Sequence, residues 1–170
     1  MDSTLPGLGP VAQEPRALDE LVAEAAEIIA AAKAEHQPTR TFVLFSGGND
    51  SLVLLDAVAT LADEVVHVNT GIGIPETTEF ARRVGSSYRL PFTEMHPPIP
   101  YDELVLGRWD GLPGPGAHRF TYTMLKERCI EQLLRDNRSY RGERFLLLTG
   151  VRTAESKRRM GTAETVRRNG

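Results

Sequence analysis

Two spacings of apolar residues alternate along this chain. From Ala17 to His36, Leu18, Leu21, Val22, Ala25, Ile28 and Ile29 recur at intervals of three and four. That is the stripe of a helix packed on one face, and Pro38 ends it. Thr41 to Phe45 is a short continuous apolar run, which predicts a buried strand. Helical spacing returns from Leu52 to Leu61, with Asp50 and Ser51 at the helix start. A second strand is expected over Glu64–Asn69, and a helix from Pro75, a residue suited to the first helical position, to about Ser87. A third strand is expected over Arg89–Met95. The long stretch from His96 to His118 has no clear pattern beyond a short helical segment, YDELVLG, and a run rich in glycine and proline from Gly111 to Gly116. A connection of that length inside a domain usually carries function or lacks order. Leu125, Cys129, Ile130, Leu133 and Leu134 then mark one face of a helix over Thr121–Asn137, and Phe145–Thr149 reads as the fourth strand.

Strands alternating with helices predict an α/β fold: an open, mostly parallel sheet with helices on both faces. Such sheets bind ligands at the carboxyl ends of their strands. Three polar turns fall there: SGGNDS after the first strand, NTGIGIP after the second and GVRTAES after the fourth. Residues 1–15, rich in Pro and Gly, are expected to form a flexible arm, and residues 16–170 a single domain.

Composition narrows the function. Apolar residues make up 41%, enough for a globular core, and the net charge of −3 exerts no overall pull toward nucleic acid or an anionic membrane. No segment has the length of a membrane span or the layout of a secretory signal, so a soluble cytoplasmic protein is expected. A single cysteine excludes an internal disulfide, and an iron–sulfur cluster or cysteine-rich zinc site built from this chain alone. His36, His67, His96 and His118 show no ligand spacing.

The SGGNDS turn is the strongest chemical signal. Gly47 and Gly48 let the backbone approach an anion, Ser46 and Ser51 carry hydroxyl donors, and the helix that follows presents its N-terminal N–H groups. Asp50 beside an anion implies a magnesium ion between them. The stretch is not a Walker A loop, because it lacks the terminal Gly-Lys-Ser/Thr.

SGGNDS resembles the SGGxDS pyrophosphate loop of the ATP pyrophosphatase, or PP-loop, group of adenine nucleotide α-hydrolase-like enzymes. NTGIGIPETTEF resembles the DTGxxxPET segment of the PAPS (phosphoadenosine phosphosulfate) reductase family, TMLKER its helix with a Leu-Lys pair, and GVRTAESKRR its GxRxxES segment. These motifs fall in family order over about residues 41 to 160. The resemblance implies a HUP-like fold, with Ser46, Gly47, Gly48, Asn49, Asp50 and Ser51 around the phosphates and Asn69, Thr70 and Gly71 near adenine and ribose. It implies charge from Lys126, Arg152 and Arg159, with Glu155 orienting the arginines, and places Gly150 at the site. Asp50, Lys126, Arg152 and Glu155 are then the catalytic candidates, with Asp50 the magnesium ligand.

Two departures shape the expected reaction. Asn49 stands where many relatives have Lys, leaving more phosphate charge to Lys126 and the arginines. The ECGxH segment that carries the catalytic cysteine of PAPS reductases does not occur in residues 1–170, and the spacing of Cys129 places it on an apolar helix face. The expected activity is therefore cleavage of ATP at the α–β bond, adenylylating an acceptor and releasing pyrophosphate. Two alternatives stand beside it: reduction of PAPS or adenylyl sulfate, or sulfur transfer, with the thiol on a further segment or a partner, and a non-catalytic nucleotide-binding module. A partner protein or homo-oligomer fits each of them; neither membrane nor nucleic acid is indicated.

Overall fold

A computed structural model describes residues 17–109 and 111–150. Helix α1 (Leu18–His36) ends where Gln37 turns into the left-handed region (φ 47°) and its N–H closes on the Lys33 carbonyl at 2.9 Å. Strand β1 (Arg40–Leu44) follows, then α2 (Asn49–Val58) with a short 3₁₀ extension, Ala59–Leu61. Next come β2 (Glu64–Val68), α3 (Pro75–Gly85) and β3 (Phe92–Met95). The expected third strand began at Arg89. It begins instead at Phe92, because Pro91 has no N–H for the ladder and offers only its carbonyl, to Val65 N–H at 2.9 Å.

The connection after β3 contains helical turns. Helix α4 (Tyr101–Glu103) runs into a π-helical turn, Leu104–Arg108, and a 3₁₀ turn spans Pro115–Ala117. The next helix starts earlier than its apolar stripe does. Helix α5 (His118–Tyr122), a π-helical turn (Thr123–Glu127) and α6 (Arg128–Asn137) form one continuous helical run before β4 (Phe145–Leu148).

All described strand pairs are parallel, in the order β3-β2-β1-β4. Period-two alternation sends β1 side chains to both faces. On one, Val43, Phe45, Val65 and Leu148 pack with Ile29 of α1, Leu55 and Val58 of α2 and Ala81 of α3. On the other, Phe42 and Val66 pack under Leu133 of α6. The sheet is thus covered on both sides, as an α/β fold of this class requires. Tyr101, Leu104, Trp109, Met124 and Leu125 form a third cluster that ties the two ends of the Gly/Pro-rich connection together.

The strand order decides where a ligand fits. The chain builds outward from β1 to β2 to β3, then returns to the other side of β1 for β4. β1 and β4 are paired neighbours where that order reverses, the point at which a parallel sheet of this kind forms a crevice at its carboxyl edge.

Candidate functional site

That crevice holds an open depression of about 340 Å³ lined by Ser46, Gly48, Asn49, Asp50, Ser51 and Gly150. The β1 exit and the β4 exit thus meet at the topological switch point. Gly47 turns the loop with φ 84°, and a Cβ there would lie 3.2 Å from Thr77 Cγ2 and 3.3 Å from the Thr77 carbonyl of α3. Both the backbone angle and the space therefore ask for glycine.

The serines hold the loop itself. Ser51 Oγ donates to the Gly48 carbonyl at 2.8 Å and accepts from Ser46 N–H at 3.2 Å. Its one proton is then used, so the 3.0 Å contact with Ser46 Oγ is a bond donated by Ser46. Ser46 Oγ in turn accepts from Gly48 N–H at 3.4 Å. In this arrangement both hydroxyls serve the loop itself. The backbone adds donors of its own: the first helical bond of α2 runs from Leu52 N–H to the Gly48 carbonyl, and the N–H groups before it have no partner inside the helix. His67, buried in β2, braces the loop from behind: its Nδ1–H donates to the Phe45 carbonyl at 2.8 Å.

Asp50 is the carboxylate of this lining. Among the described residues no three His, Cys, Asp or Glu side chains gather as a metal cage. A single carboxylate still suits magnesium, which takes one or two protein carboxylates and fills its sphere with phosphate oxygens and water.

Other residues singled out by the sequence lie apart from this lining. Asn69, Thr70 and Gly71 leave β2, the strand next to β1. Asn69 Oδ1 accepts from Gly71 N–H at 3.0 Å, which sets a tight turn with Gly71 at φ 77°. Lys126 stands exposed on the π-helical turn, its Nζ 5.9 Å from the centre of the Tyr122 ring, and does not line the depression. Trp109 packs between Tyr101 and Phe120, with ring centres 6.1 and 5.6 Å away. Arg152, Glu155 and Arg159, like residues 1–15, lie outside the described residues. Cys129 is fully buried, donates to the Leu125 carbonyl at 3.3 Å and has its thiol pKa pushed up by burial.

A polar group absent from the motifs sits beside the β2 turn. Glu94, at the end of β3, accepts from Arg82 Nε at 2.6 Å and Nη2 at 2.7 Å and from Asn69 Nδ2 at 2.8 Å. His96 Nε2 lies 3.3 Å away. The Arg82 hydrogen bond chiefly holds the Glu94 pKa down, to about 2, against a smaller opposing effect of burial. In sequence, the only signal is a carboxylate next to the end of a strand.

That depressed pKa carries a pH prediction. Glu94 ionises more readily folded than unfolded, so its contribution is complete above the ordinary value near 4.5 and fades as pH falls toward about 2. Arg82→Ala should therefore lower the urea midpoint at pH 6 to 7, and the two curves should converge as pH falls toward 2. Parallel curves at every pH would refute the assignment.

A glycine- and serine-rich loop thus opens a helix at the switch point of a parallel sheet, the place where α/β domains of this class take their ligands. The family model of the phosphoadenosine phosphosulfate reductase domain matches residues 40–170, and the chain belongs to that family, within the PP-loop adenine nucleotide α-hydrolase-like superfamily. By family it is a nucleotide-binding enzyme. No curated protein matches the chain significantly.

Proposed function

We propose that this protein binds ATP with its phosphates on the Ser46–Ser51 loop and transfers AMP to an acceptor oxygen. That oxygen forms a bond to the α-phosphorus. The bond from the α-phosphorus to the bridging oxygen breaks, and its electron pair leaves with pyrophosphate. An acceptor that is already an anion, such as a carboxylate or sulfate, needs no general base. The observation that carries this reading is the pairing of a depression at the N-terminus of α2 with a buried thiol. The loop offers N–H dipoles where negative charge grows, while the one cysteine of residues 1–170 lies in the core. Chemistry of this kind rests on positioning and charge stabilisation. Magnesium held by Asp50 and the phosphates would offset charge on the departing pyrophosphate. Lys126 and Arg152 are proposed to add cationic charge to the same end, with Arg159 beside them and Glu155 orienting the arginines.

The family itself favours a second reading, reduction of a sulfonucleotide with a thiol supplied from outside these residues. One set of measurements separates the two. Calorimetric titration with ATP, AMP, PAPS and pyrophosphate, with and without magnesium, should give magnesium-dependent ATP binding that pyrophosphate competes away. ATP labelled at the α- and γ-phosphates, incubated with sulfate and a panel of small carboxylates, should yield labelled pyrophosphate and an adenylylated acceptor. ADP and inorganic phosphate as the sole products would overturn the proposal. Tighter binding of PAPS than ATP, with turnover only on addition of a thiol protein, would establish the second reading in its place.

A further inference from the structure

We propose that Arg82 and Glu94 are positioning residues that hold Asn69, and through it the Asn69–Gly71 turn, in the shape that receives the nucleoside part of the ligand. The inference rests on the phosphate-loop reading above and adds the device that sets its neighbouring turn.

The contacts form a chain. The Arg82 guanidinium grips both Glu94 oxygens, at 2.6 and 2.7 Å. Glu94 Oε1 then accepts from Asn69 Nδ2 at 2.8 Å, which fixes the amide so that Oδ1 points to Gly71 N–H at 3.0 Å. An amide can donate on one side and accept on the other, and a carboxylate at position 69 could not donate to Glu94. Helix α3 joins this chain to the phosphate loop. Thr77 and Ala81 lie under Gly47, and Arg82 directly follows Ala81. Strands β1 and β2 are paired neighbours, with Phe45 N–H on the Val66 carbonyl at 2.9 Å, so their exits stand side by side. A ligand with phosphates on one exit extends across the other.

Titrations of AMP, ATP and pyrophosphate against the full chain test this. Asn69→Asp sets two carboxylates against each other and should weaken AMP and ATP about tenfold while pyrophosphate stays within about twofold. The double variant Asn69→Asp/Glu94→Gln restores a donor facing an acceptor and should recover most of the loss. Arg82→Ala, at a half-exposed side chain, tests the same chain with less risk to folding and should weaken AMP about threefold with no change for pyrophosphate. The Gly71 amide resonance should move in Asn69→Asp and return in the double variant. Equal losses for all three ligands, or none in any variant, would overturn the proposal. Failure of wild-type protein to bind pyrophosphate would instead sink the phosphate-loop reading, and this inference with it.

Discussion

Alanine in place of Gly150 should lower the melting temperature by roughly 2–12 °C and weaken pyrophosphate binding about tenfold or more. A Cβ at this position would lie 2.6 Å from the Asp50 carbonyl oxygen, 3.1 Å from its carbon and 3.4 Å from Leu54 Cβ. The first two are backbone atoms in the opening turn of α2, so no side chain can swing aside. Either the β4 exit or the helix start must move, and overpacking of this kind costs about 1–3 kcal/mol. The displaced turn is the one that presents N–H groups to the depression, so affinity falls along with stability. Gly48→Ala is the control. It lines the same depression, has an ordinary extended backbone and would meet only Ser46 Oγ at 3.5 Å. Its melting temperature should stay within about 2 °C of wild type. Thermal scans and pyrophosphate calorimetry on both variants decide the matter. A Gly150→Ala protein with native melting and binding would show that the two exits are not in close contact.

Phe45→Ala should be the most destabilising single truncation near the site, at about 3–5 kcal/mol. Phe45 is fully buried between β1 and the α3 face, with the Phe80 ring 6.5 Å away, and Val43, Leu55 and Ala81 share its cluster. A cavity there cannot fill with water, since its walls are apolar. Set against a typical total of 5–15 kcal/mol, the loss takes a large share of the stability, and the melting temperature should fall by roughly 6–20 °C. Function should suffer as well, because Phe45 directly precedes Ser46 and its carbonyl is the one held by His67. Phe45→Leu, which leaves a smaller void, should keep most of the stability and most of the ATP affinity. Urea denaturation and ATP titration of the pair check both statements. Equal stability of Phe45→Ala and wild type would remove this residue from the core.

Some features were legible because their causes are local. The helical stripe of Cys129 and Leu133 predicted burial, and both are buried, Leu133 against Phe42 and Val66 of the sheet. The SGGNDS turn announced a glycine-hinged entry into α2 through residue types that few other turns need together. Other features depended on partners far along the chain. The Ser46 and Ser51 hydroxyls line the depression as that turn suggests, and the fold adds a contact between them and one from Ser51 to the Gly48 carbonyl. Gly150 read as one residue of an anion-binding segment, whereas its lack of a side chain also admits the Asp50 carbonyl.

By its own pattern of residues the chain specified an α/β order, a buried cysteine and a glycine-rich turn at the start of a helix, since hydrophobic period and turn chemistry act within a few residues. Only the tertiary structure decided the strand order that opens the crevice between β1 and β4, and the meeting of Arg82, Glu94 and Asn69 at the next turn. Arg82 and Glu94 lie twelve positions apart, and Asn69 twenty-five from Glu94. Parallel pairing of β2 with β3, and the packing of α3 across them, carry the free energy that closes those distances, and no local pattern records it.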